Sequence, residues 1–150
     1  MEVDLRLTLD HNPMSAEELE RDARDWMRGW ARQFNISDFE APLTEANKEG
    51  REIRVKVLRD MIDFCLEREY RPVYVIPPVT GHLAAKFSSR FREIYFDSFI
   101  SGVGREVRLL NYLNDDRFQN PDFYFNSFFL NARGRRLFTE QVCSDLGLNQ

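Results

Sequence analysis

The residues of this chain that could do chemistry stand at the ends of its predicted strands. The sequence contains two histidines, His11 and His82, and each follows an apolar, strand-like segment. A histidine beside a carboxylate such as Asp10 can act as a general base, because the carboxylate orients the imidazole ring. Further polar side chains at the predicted strand ends are Thr80, Asn111, Asp115 and Asp116. The alternative is that these side chains are polar only because turns face water.

The same polar residues also raise the question of a metal site. His11, His82 and nearby carboxylates could bind a metal ion, but no His-x-x-x-His spacing supports such a site. The two cysteines, Cys65 and Cys143, lie far apart in sequence and form no Cys-x-x-Cys pair. We therefore predict no metal site, no cofactor and no disulfide framework.

The candidate pocket depends on strands and helices that bring these residues together. Apolar and polar residues alternate over residues 2–9, which predicts a strand with one buried face. Ser15 and Glu18 then form a capping box for a helix over residues 16–34. Apolar residues at spacings of three and four predict its buried stripe, which consists of Leu19, Ala23, Trp26, Met27, Trp30 and Phe34.

The rest of the chain alternates helices with strands. Thr44 caps a predicted helix that ends near residue 68, and residues 73–76 read as a strand covered on both sides. The other predicted elements are a helix over 89–100, a strand over 107–110, and a helix over 132–145 that Asn131 caps. We expect the second helix to bury one face, formed by Ile53, Val57, Leu58, Met61, Ile62, Cys65 and Leu66.

This alternation predicts an α/β fold with three layers, in which helices cover both faces of a short parallel sheet. The arrangement is flavodoxin-like, and we expect one domain over residues 1–150. Three predicted strands are fewer than the five or six of a usual sheet. Two alternatives stay open: the chain is part of a larger fold, or its sheet is completed by association.

One segment resembles a known family. Residues 122–139 form an aromatic loop that leads into Leu130-Asn131-x-x-Gly134 and a helix. This segment resembles the last block of the SGNH/GDSL-type hydrolases, in particular the DltD-like relatives of the D-alanyl transfer protein. The strand over residues 73–79, with its Pro-Pro-Val-Thr exit, is also similar to a strand of those proteins, and the resemblance covers residues 54–147.

The resemblance implies an SGNH-like α/β fold with three layers. It also implies that the chain has lost catalysis. The family block reads Asp-x-x-His-Leu-Asn-x-x-Gly, and its Asp and His complete a triad with the Ser of a Gly-Asp-Ser motif. Asn126 stands in place of that Asp, Phe129 in place of that His, and no Gly-Asp-Ser occurs. The resemblance therefore implies a non-catalytic or fragmentary domain, structural or binding, in cell-envelope acyl transfer or polysaccharide modification. The alternative is a hydrolase or acyl-transferase that uses a histidine at the strand ends, with Asn126 added to the candidate pocket.

Composition limits the partners. The chain has 21 Lys and Arg against 25 Asp and Glu, a net charge of -4, and its basic residues are dispersed, so we predict no nucleic-acid binding. It contains no apolar stretch long enough to span a membrane and no signal peptide. We therefore expect a soluble, cytoplasmic chain, or a membrane-associated one if removed upstream residues held an anchor. Its aromatic residues, including 13 Phe, predict either a homo-oligomer or partner domain that covers aromatic surfaces, or a well-filled core.

Overall fold

A computed structural model describes residues 14–148 of the chain as a mixed α/β protein with a two-stranded parallel sheet. The predicted strand over residues 2–9 lies outside the described residues. In chain order the elements are α1 (Ala16–Gln33), α2 (Glu45–Leu66), β1 (Val73–Ile76), α3 (Gly81–Ala84), α4 (Ser89–Arg92), a π-helical segment (Glu93–Asp97), α5 (Ser98–Val103), β2 (Arg108–Asn111), two 3-10 turns (Asp116–Phe118 and Pro121–Phe123) and α6 (Ala132–Asp145).

The long helices begin at the predicted capping residues. The backbone N–H of Ser15 donates to Glu18, and the N–H of Glu18 donates to the Ser15 hydroxyl, so the capping box of α1 is confirmed. The Thr44 hydroxyl accepts the N–H of Asn47 at the start of α2. Asn131 caps α6 in the same way. Each cap satisfies a backbone donor that has no partner inside its helix.

The chain divides into two compact units. In the described residues, the first unit comprises 14–27, 75–86 and 110–148, and the second comprises 28–74 and 87–109. The prediction of a single domain over 1–150 stays a prediction. Buried apolar residues of the first unit include Leu19, Ala23, Val79, Leu83, Ala84, Tyr112, Leu113, Phe118, Tyr124 and Leu130. They come from α1, α3 and the loops around β2, so these elements fix the region that carries His82.

The second unit buries one face of α2, and this face differs from the predicted one. Val55 and Ile62 pack with Val103 of α5 and with Leu58 in a single core cluster. Four residues that we expected to be buried are exposed instead: Ile53, Val57, Met61 and Leu66. Ile53, Val57 and Met61 lie on the side of α2 opposite the core cluster, whereas Leu66 lies on the core side but is the last residue of the helix.

A second correction concerns the stripe of α1. Leu19 and Ala23 are buried as predicted, and Trp26, Met27 and Trp30 are half-buried. Phe34, one residue beyond the end of α1, is 40% exposed. The predicted helix over 89–100 is interrupted by the π-helical segment Glu93–Asp97, after which α5 ends at Gly104, whose φ of 64° is left-handed.

Candidate functional site

A cavity of about 260 Å³ lies beside α3 in the first unit. Its lining residues come from α1, from α3 with its cap, and from the loop after β2: Glu20, Thr80, Gly81, His82, Ala85, Gln119 and Pro121. The Thr80 cap positions this side of the cavity, because its hydroxyl accepts the N–H of Leu83 and so sets the start of α3. Two predicted pocket residues, Thr80 and His82, therefore share one cavity.

Glu20 links His82 and Lys86. Its Oε2 lies 3.5 Å from Nδ1 of His82, and its Oε1 accepts a hydrogen bond from Nζ of Lys86. That hydrogen bond is the largest cause that lowers the pKa of the Glu20 carboxyl from its usual value. An ionised Glu20 favours a proton on Nδ1 of His82, which leaves Nε2 as the proton acceptor. The arrangement can orient a base or hold a polar ligand.

The nearby hydroxyl groups are occupied by backbone carbonyls. Thr80 is 2% exposed, and its hydroxyl donates to the carbonyl of Ser127 at 3.0 Å. The Ser127 side chain is fully buried and donates to the carbonyl of Leu19 at 2.8 Å. A nucleophilic hydroxyl must give its proton to a base. These two hydroxyls give theirs to carbonyl oxygens, so they hold the loops together instead.

Two asparagines in the segment over residues 122–139 form hydrogen bonds with the backbone of that same segment. Oδ1 of Asn126 accepts the backbone N–H groups of Phe128 and Phe129 at 3.0 and 2.8 Å. Oδ1 of Asn131 accepts the N–H of Gly134, and its Nδ2 donates to the carbonyl of Asp122 at 2.7 Å. The two asparagines thus fold the aromatic loop and start α6.

Phe129 belongs to an aromatic group on the first unit. Its ring centroid lies 4.9 Å from that of Phe128 and 5.7 Å from that of Trp26. Trp26 and Phe128 are themselves 4.9 Å apart. Phe129 remains 51% exposed. An exposed phenyl ring can make apolar and ring-stacking contacts with a partner but cannot transfer a proton.

Of the other predicted pocket residues, the three that the structure describes, Asn111, Asp115 and Asn126, are not in the lining of this cavity. Asn111 is exposed at the end of β2, where its Oδ1 accepts the N–H of Leu113. Asp115 accepts two hydrogen bonds from the guanidinium of Arg117, which hold the pKa of its carboxyl below the usual range. Asp10 and His11 lie outside the described residues. Their assignment to a common site stays a prediction.

Sequence reasoning missed Glu20 and Gln119. Glu20 is one of several charged residues on the polar side of α1, and nothing local distinguishes it. Gln119 follows a short 3-10 turn. Its Oε1 lies 2.9 Å from where a Cβ on Gly81 would stand, so this loop closely approaches α3. The absence of a side chain at Gly81, just after a Thr, was the available signal for this approach.

The part of the chain that the structure describes contains neither a metal-binding cluster nor a membrane-spanning helix. Among residues 14–148, no group of three or more His, Cys, Asp or Glu side chains could hold a metal ion. In that same part of the chain, no helix is long and apolar enough to cross a membrane.

The chain was also compared with known proteins. No model of a protein family, no curated protein and no solved structure matches it.

Proposed function

We propose that the chain is a non-catalytic SGNH/DltD-like domain with a structural or binding role. The observation that carries the proposal is the use of Asn126, which stands at the family's aspartate position. Its side-chain oxygen accepts two backbone N–H groups of its own loop. It therefore stabilises the loop, and the residue at the family's histidine position is Phe129.

The proposal extends to features that follow from the resemblance. The sheet would be the remainder of a three-layer α/β arrangement, and its two parallel strands support that view. We further propose a cytoplasmic location, association with a second copy or a partner domain through aromatic surfaces, and a role in cell-envelope acyl transfer or polysaccharide modification. Exposed Phe129 and Phe125 support the aromatic contact.

The cavity beside His82 limits what a bound ligand can be. Its volume of about 260 Å³ is below the range of roughly 300–1,000 Å³ that is usual for drug-sized ligands. Glu20, His82 and Gln119 supply polar atoms, whereas Ala85 and Pro121 supply apolar walls. A ligand bound there is therefore small and carries both a polar group and an apolar part.

Binding at the cavity is tested by filling it. We expect small polar fragments, observed by two-dimensional NMR, to shift the resonances of residues that line the cavity. The Ala85→Phe variant should lose these shifts, because the ring occupies the space. Ala46→Phe is the matched control on an exposed position of α2. Shifts that survive Ala85→Phe would contradict binding in this cavity.

The second candidate is a hydrolase or acyl-transferase that uses His82 at the end of the strand. The distance of 3.5 Å between Glu20 and His82 favours this candidate, since a carboxylate commonly orients a catalytic imidazole. His82 is partly open to water, with 32% of its side chain exposed.

Hydrolysis of p-nitrophenyl acetate separates the two candidates. A non-catalytic domain should release nitrophenol no faster than its His82→Gln variant does. An enzyme based on His82 should lose its turnover in His82→Gln, become slower in Glu20→Gln, and keep its rate in Ser144→Ala, a control at an exposed position of α6. That second pattern would replace the leading proposal by the enzymatic one.

A further inference from the structure

Helix α2 presents a second apolar face outside its core contacts. Ile53, Val57, Met61 and Phe64 follow one another at spacings of four, four and three residues, and we call them the outer stripe. At about 100° per residue, they fall within an arc of about 80°. Between 52% and 66% of each residue is exposed. The core face of α2, with Val55 and Ile62, lies on the other side of the helix.

We infer that the outer stripe is the contact surface for a second copy of this chain, with the two α2 helices packed side by side and parallel. Contiguous exposed apolar patches mark interaction sites on folded proteins. The three steps cover 11 residues, about 3.67 residues each, which is close to the 3.6-residue turn of a straight helix, so the stripe stays on one side of α2. This inference goes beyond the proposed function and does not depend on the cavity beside His82.

The charges beside the outer stripe favour a parallel pair. Glu49 lies on one flank of the stripe and Arg54 on the other, and both are exposed. In a parallel helix pair, opposite flanks of the two chains meet, and residues five positions apart face each other. Glu49 of one copy then faces Arg54 of the other, twice by symmetry. An antiparallel pair would bring equal flanks together and make no such contact.

The conformation of Arg54 agrees with this pairing. Its guanidinium lies 3.3 Å from where a Cβ on Gly50 would stand, so the side chain reaches back by one helical turn. That brings its charge to the level of Glu49 along the helix. On the flank of Glu49, Lys56 and Asp60 pair with each other at 2.7 Å and largely cancel. Glu49 is thus the acid on that flank that is available to Arg54 of the second copy.

The exposed area is close to what a reversible dimer needs. With about 200 Å² for a large apolar side chain, the four exposed fractions leave roughly 460 Å² of each chain in water. Two copies would bury at most about 920 Å² from the stripes alone, slightly below the roughly 1,000 Å² of a specific interface. Contacts of the flanking side chains add to this area. A weak dimer at micromolar to submillimolar concentration is therefore the expected state.

The first test is sedimentation equilibrium of the full chain over that concentration range. We expect a monomer–dimer equilibrium that Val57→Lys weakens at least about a hundredfold, because a buried lysine replaces a central contact. Glu52→Lys adds the same side chain at an exposed position away from the stripe and should leave the dissociation constant unchanged. Circular dichroism verifies that both variants are folded.

The second test is a charge exchange, which reports on orientation even if Val57→Lys does not fold. Glu49→Arg and Arg54→Glu should each weaken the dimer roughly tenfold, since two symmetric pairs are lost. The double exchange should restore the native dissociation constant. Failure of the double variant to recover would overturn the parallel pairing.

Other occupants of the stripe give different results. A chain that is monomeric at every concentration overturns the proposal. If Val57→Lys then lowers the free energy of unfolding, another part of the same chain covers the stripe. If the monomer and its variant are equally stable, the stripe binds a different protein or none, which overturns self-association equally.

Discussion

Replacement of Gly134 by alanine should destabilise the protein, although helix propensity alone predicts a gain. Gly134 lies in the first turn of α6 and is buried. A Cβ at this position would stand 2.1 Å from the carbonyl oxygen of Phe123 and 2.9 Å from Cδ2 of Leu130. The leucine side chain can move, but the carbonyl belongs to the backbone of a 3-10 turn. Either α6 or that turn must therefore shift by about an ångström.

The two opposing effects differ in size. Alanine is better than glycine inside a helix by about 1 kcal/mol. Overpacking against a rigid neighbour costs about 1–3 kcal/mol and occasionally more, and the shift also strains the hydrogen bond from Asn131 to Asp122. We expect a net loss of about 2 kcal/mol, or about 4–8 °C in the unfolding temperature of a chain of this length.

The matched control is Gly29→Ala in α1. Apart from its chain neighbours and the nearby backbone of its own helix, no atom of residues 14–148 lies within 4 Å of a Cβ at Gly29, so this variant gains helix propensity without a clash. Urea unfolding followed by circular dichroism should give a higher free energy of unfolding for Gly29→Ala and a lower one for Gly134→Ala. If both variants are stabilised equally, α6 does not approach Phe123 closely, and the structural explanation of the Leu-Asn-x-x-Gly segment fails.

Two further predictions concern the first unit. Ser127→Ala should lower the free energy of unfolding by about 1 kcal/mol, because the carbonyl of Leu19 loses a buried hydrogen bond. The control Ser144→Ala, at an exposed position, should have no effect. Equal stabilities of the two variants in urea would contradict a stabilising role of the Ser127 hydroxyl. Tyr112→Phe should cost about 1–2 kcal/mol at neutral pH through the lost hydrogen bond to Asp145, at 2.6 Å. Burial and the Asp145 carboxylate raise the pKa of Tyr112 to about 12. As the pH rises, the unfolded chain therefore loses this proton before the folded protein does. The contribution of Tyr112 to the free energy of unfolding should disappear between about pH 10 and pH 12. If the difference in free energy of unfolding between the native protein and Tyr112→Phe stays constant from about pH 10 to pH 12, the stabilising hydrogen bond from Tyr112 to Asp145 is refuted.

Interactions between residues close in sequence were predictable. Ser15 and Glu18, Thr44 and Asn131 were identified as caps because a cap needs partners only two or three residues away. β1 was predicted over residues 73–76, where it occurs, and β2 was predicted one residue early. These elements follow from local patterns of side-chain type, which fix the backbone before any distant contact is formed.

The buried face of α2 could not be predicted in the same way. Its apolar residues form two stripes, one with Val55 and Ile62 and one with Ile53 and Val57. Both stripes satisfy the helical period, so periodicity alone cannot choose between them. The choice is made by α5, which brings Val103 against Val55 and Ile62. One guanidinium group reinforces it, since Arg59 donates two hydrogen bonds, to the carbonyls of Gly102 and Val103 at the end of α5.

The candidate site shows the same division between local and distant information. His82 was identified because a histidine after a strand is a recognisable local signal. Glu20 is 62 positions away and contacts His82 only because α1 packs beside α3 within the first unit. On α1 it is one acid among several, and charged residues on an exposed helix face usually interact only with water. The polar partner of a candidate base therefore had to come from tertiary structure.

In the segment over residues 122–139, the matched residues shape the backbone and the core, and none of them stands at a position where the SGNH/GDSL motif carries its chemistry. Asn131 is needed to cap α6, Gly134 to let that helix approach Phe123, and Leu130 to fill the core, where it is 9% exposed. Each of these matched residues has a physical reason that involves no substrate. In the proposed SGNH-like relationship, Asn126 and Phe129 stand at the catalytic Asp and His positions. Asn126 folds the loop, and Phe129 presents an exposed ring. Such a motif can specify a loop and a helix without specifying a reaction, so assays of the aromatic surface and the cavity test its function more directly than assays of a triad.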